Sequence, residues 1–241
     1  MVSKESDAVV HAALVEGSEL DLTGDVPVFA PLFDAARIYG LRAGPYLKWI
    51  KPTIDRIGGL IGLIVTVPLM VMIGAAVWLA MGSPVFLAQD RVGRQGKVFR
   101  LWKFRTMAAD RRTYQLEWVG ENRRQTHKSA DDPRITPLGR WLRATRLDEM
   151  PQFINVIAGD LSLVGPRPEM VQVVAQYEAW QHHRHAVKPG VTGLWQISDR
   201  GDKLLKDCTA MELEYLDSIS LKTDVQILLK TIPAIARRTG I

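Results

Sequence analysis

Two adjacent carboxylates, Asp148 and Glu149 within Leu147-Asp148-Glu149-Met150-Pro151-Gln152, are the side chains of this sequence best suited to chemistry on phosphorus. An ionised aspartate is a competent nucleophile toward phosphorus, as in enzymes that pass through an aspartyl-phosphate. Carboxylate and phosphate repel, so the reaction needs Mg²⁺ bridging both and Arg or Lys around them. A plainer reading competes. Thr145-Arg146-Leu147-Asp148 satisfies the pattern of a helix capping box, in which case the acids only start a helix. Pro151 fits only the first turn of a helix, so a helix is expected from about Asp148 to Gly159, its natural stop. A helix N-terminus carries partial positive charge, which keeps an aspartate ionised and attracts phosphate.

Cations surround the pair in sequence. Between Arg91 and Arg112 there are eight Arg or Lys and one acid, Asp110. Val98 to Arg105 alternates as a strand with one buried face, so Lys103 and Arg105 point the same way. They suit substrate phosphates, lipid headgroups or a solvated face. Arg143 and Arg146 immediately precede the acids, and Arg167 is fixed between Pro166 and Pro168, ready for an anionic or planar ligand or simply part of a rigid connector. His182, His183 and His185 cluster without ligand spacing or a third partner, so no metal site is expected there.

The elements that must position these groups include one long apolar run. No charged residue occurs between Arg56 and Asp90, and Ile57 to Met81 is almost continuously apolar. Such a run covers the roughly 30 Å hydrocarbon layer, so membrane insertion is expected. The default is a spanning helix kinked at Pro68. Basic residues flank both sides, however: Lys48, Lys51 and Arg56 before, Arg91, Arg94, Lys97 and Arg100 after. Because basic flanks prefer the cytoplasmic face, a segment that turns at Pro68 and leaves by the same face satisfies both. Thr66 is a candidate to satisfy the backbone that Pro68 frees.

Residues 1 to 25 are polar and acidic and read as a mobile tail without a signal peptide, whereas Phe29, Leu32, Phe33, Ala36, Tyr39 and Gly40 recur at helical spacing. Leu204 to Leu216 reads as a helix. Val225, Leu228, Leu229, Ile232 and Ile235 then form an apolar face ending at Arg237 and Arg238, suited to a membrane interface or to packing on the main domain. The 241 residues carry a net charge of +5 and a pI near 9.4, which favours anionic partners. Nucleic acid is disfavoured, since the basic cluster adjoins the inserted run and is held against lipid. The single cysteine, Cys208, excludes an intrachain disulfide and suits a reducing cytoplasm.

Several segments in order resemble one family, the monotopic phosphoglycosyl transferases, also called bacterial sugar transferases. They are Lys51-Pro52-Thr53-Ile54-Asp55-Arg56, Gln89 to Lys97, Lys103-Phe104-Arg105-Thr106-Met107, Asp132-Pro133-Arg134-Ile135-Thr136, the acidic hexapeptide, Gly159 to Pro168 and Pro189 to Gln196. The resemblance covers about residue 48 to the C-terminus. It implies transfer of a sugar 1-phosphate from a UDP-sugar, with UDP-galactose or UDP-glucose plausible, to undecaprenyl phosphate, with release of UMP.

It further implies a re-entrant helix broken at Pro68, with both ends in the cytoplasm at the bacterial inner membrane. Asp148 is then the nucleophile that forms a covalent phosphosugar intermediate, Glu149 its partner in holding metal or proton, and Mg²⁺ the cofactor at Asp148 and Glu149. Arg167 corresponds to the nucleotide side. Lys103, Arg105, Arg134, Arg143 and Arg200 match recurrent basic positions and are assigned equally to phosphates or to structural ion pairs. Arg146 and Asp199 depart from the family pattern, Arg146 standing where Ser or Thr is usual and Asp199 where glycine often precedes Arg200.

The fold expected is α/β or mainly α with a short sheet, with interfacial amphipathic helices. The expected divisions are an N-terminal extension at 1–46, the membrane helix and its lead-in at 47–88, and a cytoplasmic catalytic domain at 89–241. A membrane-bound Mg-dependent phosphohydrolase and a non-catalytic membrane adaptor are the alternatives. Membrane lipids are expected partners, and the oligomeric state is left open.

Overall fold

The computed structural model describes residues 44–108, 134–198 and 205–236. The helical spacing expected before residue 44, together with Asp199, Arg200, Arg237 and Arg238, lies outside them. Of the two fold classes expected, the chain takes the mainly helical one, with two small sheets.

Residues Tyr46–Ile50 form a π-helical turn that leads into α1, Lys51–Met81. The many β-branched residues of α1 are weak helix formers in water. In an apolar solvent the backbone must satisfy itself, and a helix does so within one segment. Pro52 occupies the first turn, where its missing N–H costs nothing, and Gly82 ends the helix at a φ of 68°. The expected break at Pro68 leaves no gap in the helix: α1 runs through Pro68 as one element. An interior proline removes its own N–H bond and crowds the carbonyl four residues back, which bends a helix locally while the turns on either side stay helical. The Thr66 hydroxyl donates to Gly62 O (2.7 Å) and Leu63 O (3.3 Å), one turn back, and not to the Ile64 carbonyl that Pro68 leaves without its donor.

Strands β1 (Phe86–Val92) and β2 (Val98–Phe104) form an antiparallel hairpin, with buried Phe99 and Leu101 alternating with exposed Arg100 and Trp102 until Phe104, on the opposite face, is buried at the strand's end. After β2 come α2 (Pro137–Thr145), a 3₁₀ turn at Leu147–Glu149 and α3 (Gln152–Ala158), which stops at Gly159 with a φ of 89°. Asn155 of α3 donates to Arg100 O (2.7 Å) and accepts from Trp102 N (3.1 Å), so α3 covers the free edge of β2.

Next are β3 (Ser162–Val164), β4 (Glu169–Met170), α4 (Val171–Val174), a 3₁₀ helix at Ala179–Ala186, β5 (Gly190–Thr192) and α5 (Leu194–Ile197). β4 joins the hairpin on β1, and β3 pairs in parallel with β5. Helices α6 (Leu205–Asp217) and α7 (Leu221–Ala236) end the described chain, the first close to the expected limits.

One face of α1 is part of the core. Met70, Ile73 and Val77 are buried against Phe104 and Leu142, with Leu147 and Met150 packed onto the same cluster. Nearer its start, a Cβ on Gly62 would lie 2.6 Å from the Phe153 ring, so only glycine lets α3 approach this closely. Polar contacts tie both ends. At the first turn Lys51 Nζ pairs with Asp224 of α7 (2.6 Å) and donates to Val164 O (3.0 Å), while Asp55 accepts from Leu163 N (2.9 Å). Away from the core, Ile57, Leu60, Ile61, Ile64, Val71 and Leu79 are exposed.

Candidate active site

The dyad sits on the 3₁₀ turn, not on the first turn of α3. Arg146, the residue before this turn, adopts a φ of 57° and ends α2, its N–H bonding back to Arg143 O (3.1 Å). The capping-box pattern is not realised. Thr145 Oγ1 donates backward to Trp141 O (2.9 Å) and Leu142 O (3.2 Å), and Pro151 stands at the N-cap of α3 without a side-chain cap. Leu147 and Met150, on either side of the acids, pack beneath α1, which anchors the turn to the long apolar helix.

Asp148 is buried, at 8% exposure, and Glu149 faces Arg167 at 3.6 Å, an ion-pair distance longer than a hydrogen bond. Lys103, on the inward face of β2 with Phe99 and Leu101, comes close enough to Asp148 and Glu149 to feel both charges. Burial pushes its ammonium down to about 7, with Arg91 and Arg143 acting the same way and the two carboxylates opposing. Arg146 feels the same pair: burial lowers its pKa, Glu149 and Asp148 raise it and Arg167 lowers it. Its Nη2 donates to Gln196 O (3.3 Å). The site is therefore two carboxylates within a ring of cations.

Of the basic residues expected at the site, Lys103 and Arg167 are brought to the acids, and Arg143 is brought near Lys103. Arg143 also donates from Nε to Thr106 Oγ1 (2.9 Å). Arg105 is turned elsewhere: its guanidinium donates to the carbonyls of Met81, Gly82 (3.2 Å) and Ser83 (3.0 Å), at the C-terminal end of α1. Arg134 accepts at its carbonyl from Ala108 N (3.0 Å), beside the Met107–Ile135 bridge.

Arg167 lies over the Trp195 ring, with its guanidinium carbon 5.7 Å from the centroid. Parallel pairing of β3 with β5 sets this up, because it joins Gly165 N to Thr192 O (2.9 Å) and Gly190 N to Pro166 O (2.8 Å). A Cβ on Gly193 would meet Gly165 O at 2.2 Å, so the two loops cross in backbone contact. Arg91 and Arg146 were not picked out as site residues from sequence. Arg91 holds the Arg167 loop through Pro168 O (3.2 Å), and a run of eight cations gives no means of telling it from its neighbours. His182 and His185 are buried against the Tyr177 ring, as packing residues.

Among the described residues no group of three or more His, Cys, Asp or Glu converges as a metal cage. Two adjacent carboxylates on one turn are nevertheless a donor set that suits Mg²⁺, which is commonly held by one or two carboxylates plus substrate phosphates.

Residues 46–238 match the bacterial sugar transferase family profile, and the chain belongs to that family. It is 40% identical over 166 residues to the galactosyl transferase CpsE of Streptococcus agalactiae serotype III, covering 66% of this chain and 36% of that protein. It is 35% identical over 196 residues to the exopolysaccharide production protein ExoY of Sinorhizobium fredii, covering 79% of this chain and 87% of that one. It is 36% identical over 199 residues to the undecaprenyl-phosphate galactose phosphotransferase of Salmonella typhimurium, covering 80% and 42%. The chain thus spans well under half of the first and third relatives and most of the second.

Proposed function

We propose that this chain transfers a sugar 1-phosphate from a UDP-sugar to undecaprenyl phosphate, initiating polysaccharide synthesis. The observation that carries it is the buried Asp148 on a turn ringed by Lys103, Arg143, Arg146 and Arg167, directly under a helix long and apolar enough to enter a membrane. The names of two relatives, a galactosyl transferase and an undecaprenyl-phosphate galactose phosphotransferase, support UDP-galactose as donor.

In the first half-reaction a carboxylate oxygen of Asp148 attacks the β-phosphorus. The bond from that phosphorus to the bridging oxygen breaks, UMP leaves with the electron pair, and the phosphosugar is held on Asp148. In the second, an oxygen of undecaprenyl phosphate attacks the same phosphorus and Asp148 leaves as carboxylate. Lys103 and Arg143 neutralise the phosphoryl oxygens, and Arg167, stacked on Trp195, takes the nucleotide side. Arg167 Nε is buried without a hydrogen-bond partner among the described residues, a donor left over for a ligand. Mg²⁺ held by Asp148 and Glu149 would offset the repulsion between carboxylate and diphosphate.

The same reading places α1 in one leaflet from the cytoplasmic side. A straight helix of 31 residues is about 46 Å long at 1.5 Å per residue, more than a bilayer core. Yet one domain bonds Lys51 at its start and the Met81 and Gly82 carbonyls at its end, which supports both ends lying on the same side, with α1 bent at Pro68 between them. Exposed Leu221, Val225, Leu229 and Ile232 on one side of α7 suit the adjoining interface. Leu228 packs inward on the domain, so only part of the apolar face expected there is free.

Incubating the purified protein with UDP-galactose or UDP-glucose, undecaprenyl phosphate and Mg²⁺ is expected to release UMP, and Asp148→Asn to abolish release. Equal UMP from wild type and Asp148→Asn would refute the assignment.

A further inference from the structure

The Arg167 side chain can serve the dyad only if its main chain is held, and that main chain is held by a buried ion pair distant in sequence. Glu212 of α6 accepts from Arg167 N through Oε1 (2.9 Å), and Arg184, on the 3₁₀ helix at Ala179–Ala186, donates from Nη2 to Arg167 O. The two form a buried ion pair, Arg184 Nη2 lying 2.7 Å from Glu212 Oε2, with side-chain exposures of 2% and 3%. Arg184 also donates to Tyr177 Oη. Arg91 takes the next carbonyl, that of Pro168 (3.2 Å). Both polar main-chain groups of a single residue are thus bonded to the two members of one ion pair.

We infer that Glu212 and Arg184 are positioning residues for Arg167, holding its guanidinium between Glu149 and Trp195 for the donor substrate. The inference rests on the phosphosugar-transfer reading.

Its physical motive lies in what a buried ion pair does poorly and what it does well. Removing two charges from water is costly, and well-packed apolar side chains of similar size often hold a fold equally well or better. Apolar side chains cannot bond an N–H and a C=O. The pair at 184 and 212 does both, on a residue that the following Pro168 already biases toward extended backbone. Burial lowers the pKa of Arg184, but Glu212, Tyr177 and Glu169 outweigh it, so the guanidinium stays charged and the clamp stays closed across the working pH range. The fixed main chain leaves only the Arg167 side-chain torsions to be ordered when a nucleotide binds.

The test uses the full chain in lipid nanodiscs. The apolar pair Arg184→Met/Glu212→Leu is compared with wild type, in the native and in the Arg167→Ala background, and Glu212→Gln serves as a milder variant if the apolar pair fails to fold. Amide exchange is followed in a peptide spanning 165–169, where the two prolines leave few amides besides that of Arg167. The expected result is faster exchange at Arg167 with little change in melting temperature. The KM for UDP-sugar should rise about 10- to 100-fold, as for a small displacement of a substrate-positioning group, with the KM for undecaprenyl phosphate unchanged. In the Arg167→Ala background the apolar pair should alter kcat/KM less than about twofold, because the path through Arg167 is already gone.

Glu212→Gln should show the same pattern at a few-fold size. Unchanged exchange at Arg167, or equal losses in both backgrounds, would overturn the clamp. Faster exchange in a protein that forms no UMP in any variant would leave the clamp standing and count against phosphosugar transfer.

Discussion

The guanidinium of Arg105, one residue beyond β2, donates to the carbonyls of Met81 and Gly82, so the β1–β2 hairpin is fastened to the C-terminal end of the long apolar helix α1. The last carbonyls of a helix lack intrahelical partners and carry partial negative charge, so a cation there is stabilising.

Arg105→Ala is accordingly expected to lower stability by about 1–3 kcal/mol, the worth of losing hydrogen bonds from a charged group to half-buried carbonyls. Arg105→Lys, with one point charge in place of a planar fork, should recover only part of it. Thermal unfolding in detergent checks this, together with the KM for UDP-sugar among the molecules that remain folded. A large KM change without loss of melting temperature would return Arg105 to the substrate.

Asp148 carries the covalent step in the proposed mechanism. Intact-protein mass spectrometry after incubation with UDP-galactose and Mg²⁺, without acceptor, should show an adduct of one hexose phosphate on wild type and none on Asp148→Asn. Addition of undecaprenyl phosphate should remove it. An adduct that persists in Asp148→Asn would place the nucleophile elsewhere.

His182, buried beside Tyr177, His183, Arg184 and His185, is pushed down to about 4, mainly by burial, and His185 falls well below its ordinary value for the same first reason. Between about pH 6.5 and 4 the unfolded chain therefore binds more protons at these rings than the folded one. Stability is fully present above pH 6.5 and falls as pH drops through that window, for His182 by about 1–2 kcal/mol at pH 5. Melting temperature against pH should show the decline, and His182→Gln should flatten it. An unaltered slope in that variant would show that the acid sensitivity lies elsewhere.

Two glycines of α1 differ in what surrounds them. A Cβ on Gly62 meets the Phe153 ring at 2.6 Å, whereas one on Gly74 finds its nearest neighbour, Val85, at 3.7 Å. Gly74→Ala is expected to be neutral or slightly stabilising, since alanine is the better helix former by about 1 kcal/mol. Gly62→Ala should displace α3 and with it the dyad turn, costing about 1–3 kcal/mol as overpacking. UMP release and melting temperature, measured on both, should separate them; equal behaviour would mean that α3 gives way freely.

Patterns that depend on local spacing were legible in the sequence. The β2 alternation, the helix following residue 204 and the stop at Gly159 all rest on neighbours a few residues apart, and each is found. The dyad itself was visible as an acid pair in a basic setting. Its local geometry was not, because the turn depends on Arg146 adopting a left-handed φ, which the residue type does not announce. The roles of the cations were also hidden. Lys103 and Arg105 are two residues apart and share a charge, and only the position of α1 makes one face the acids and the other a helix end. Glu212 lies 45 residues from the main-chain N–H it accepts, beyond the reach of any periodicity.

The packing of α1 bears on how the protein can be handled. Because Met70, Ile73 and Val77 fill one side of the cluster that contains Phe104 and Leu142, this helix is not a tether that can be cut away to free a soluble enzyme. A truncation beginning after Met81 would open that cluster to water beneath Leu147 and Met150, loosening the turn that carries Asp148. Any preparation has to cover the exposed apolar side of the helix and leave the helix in place.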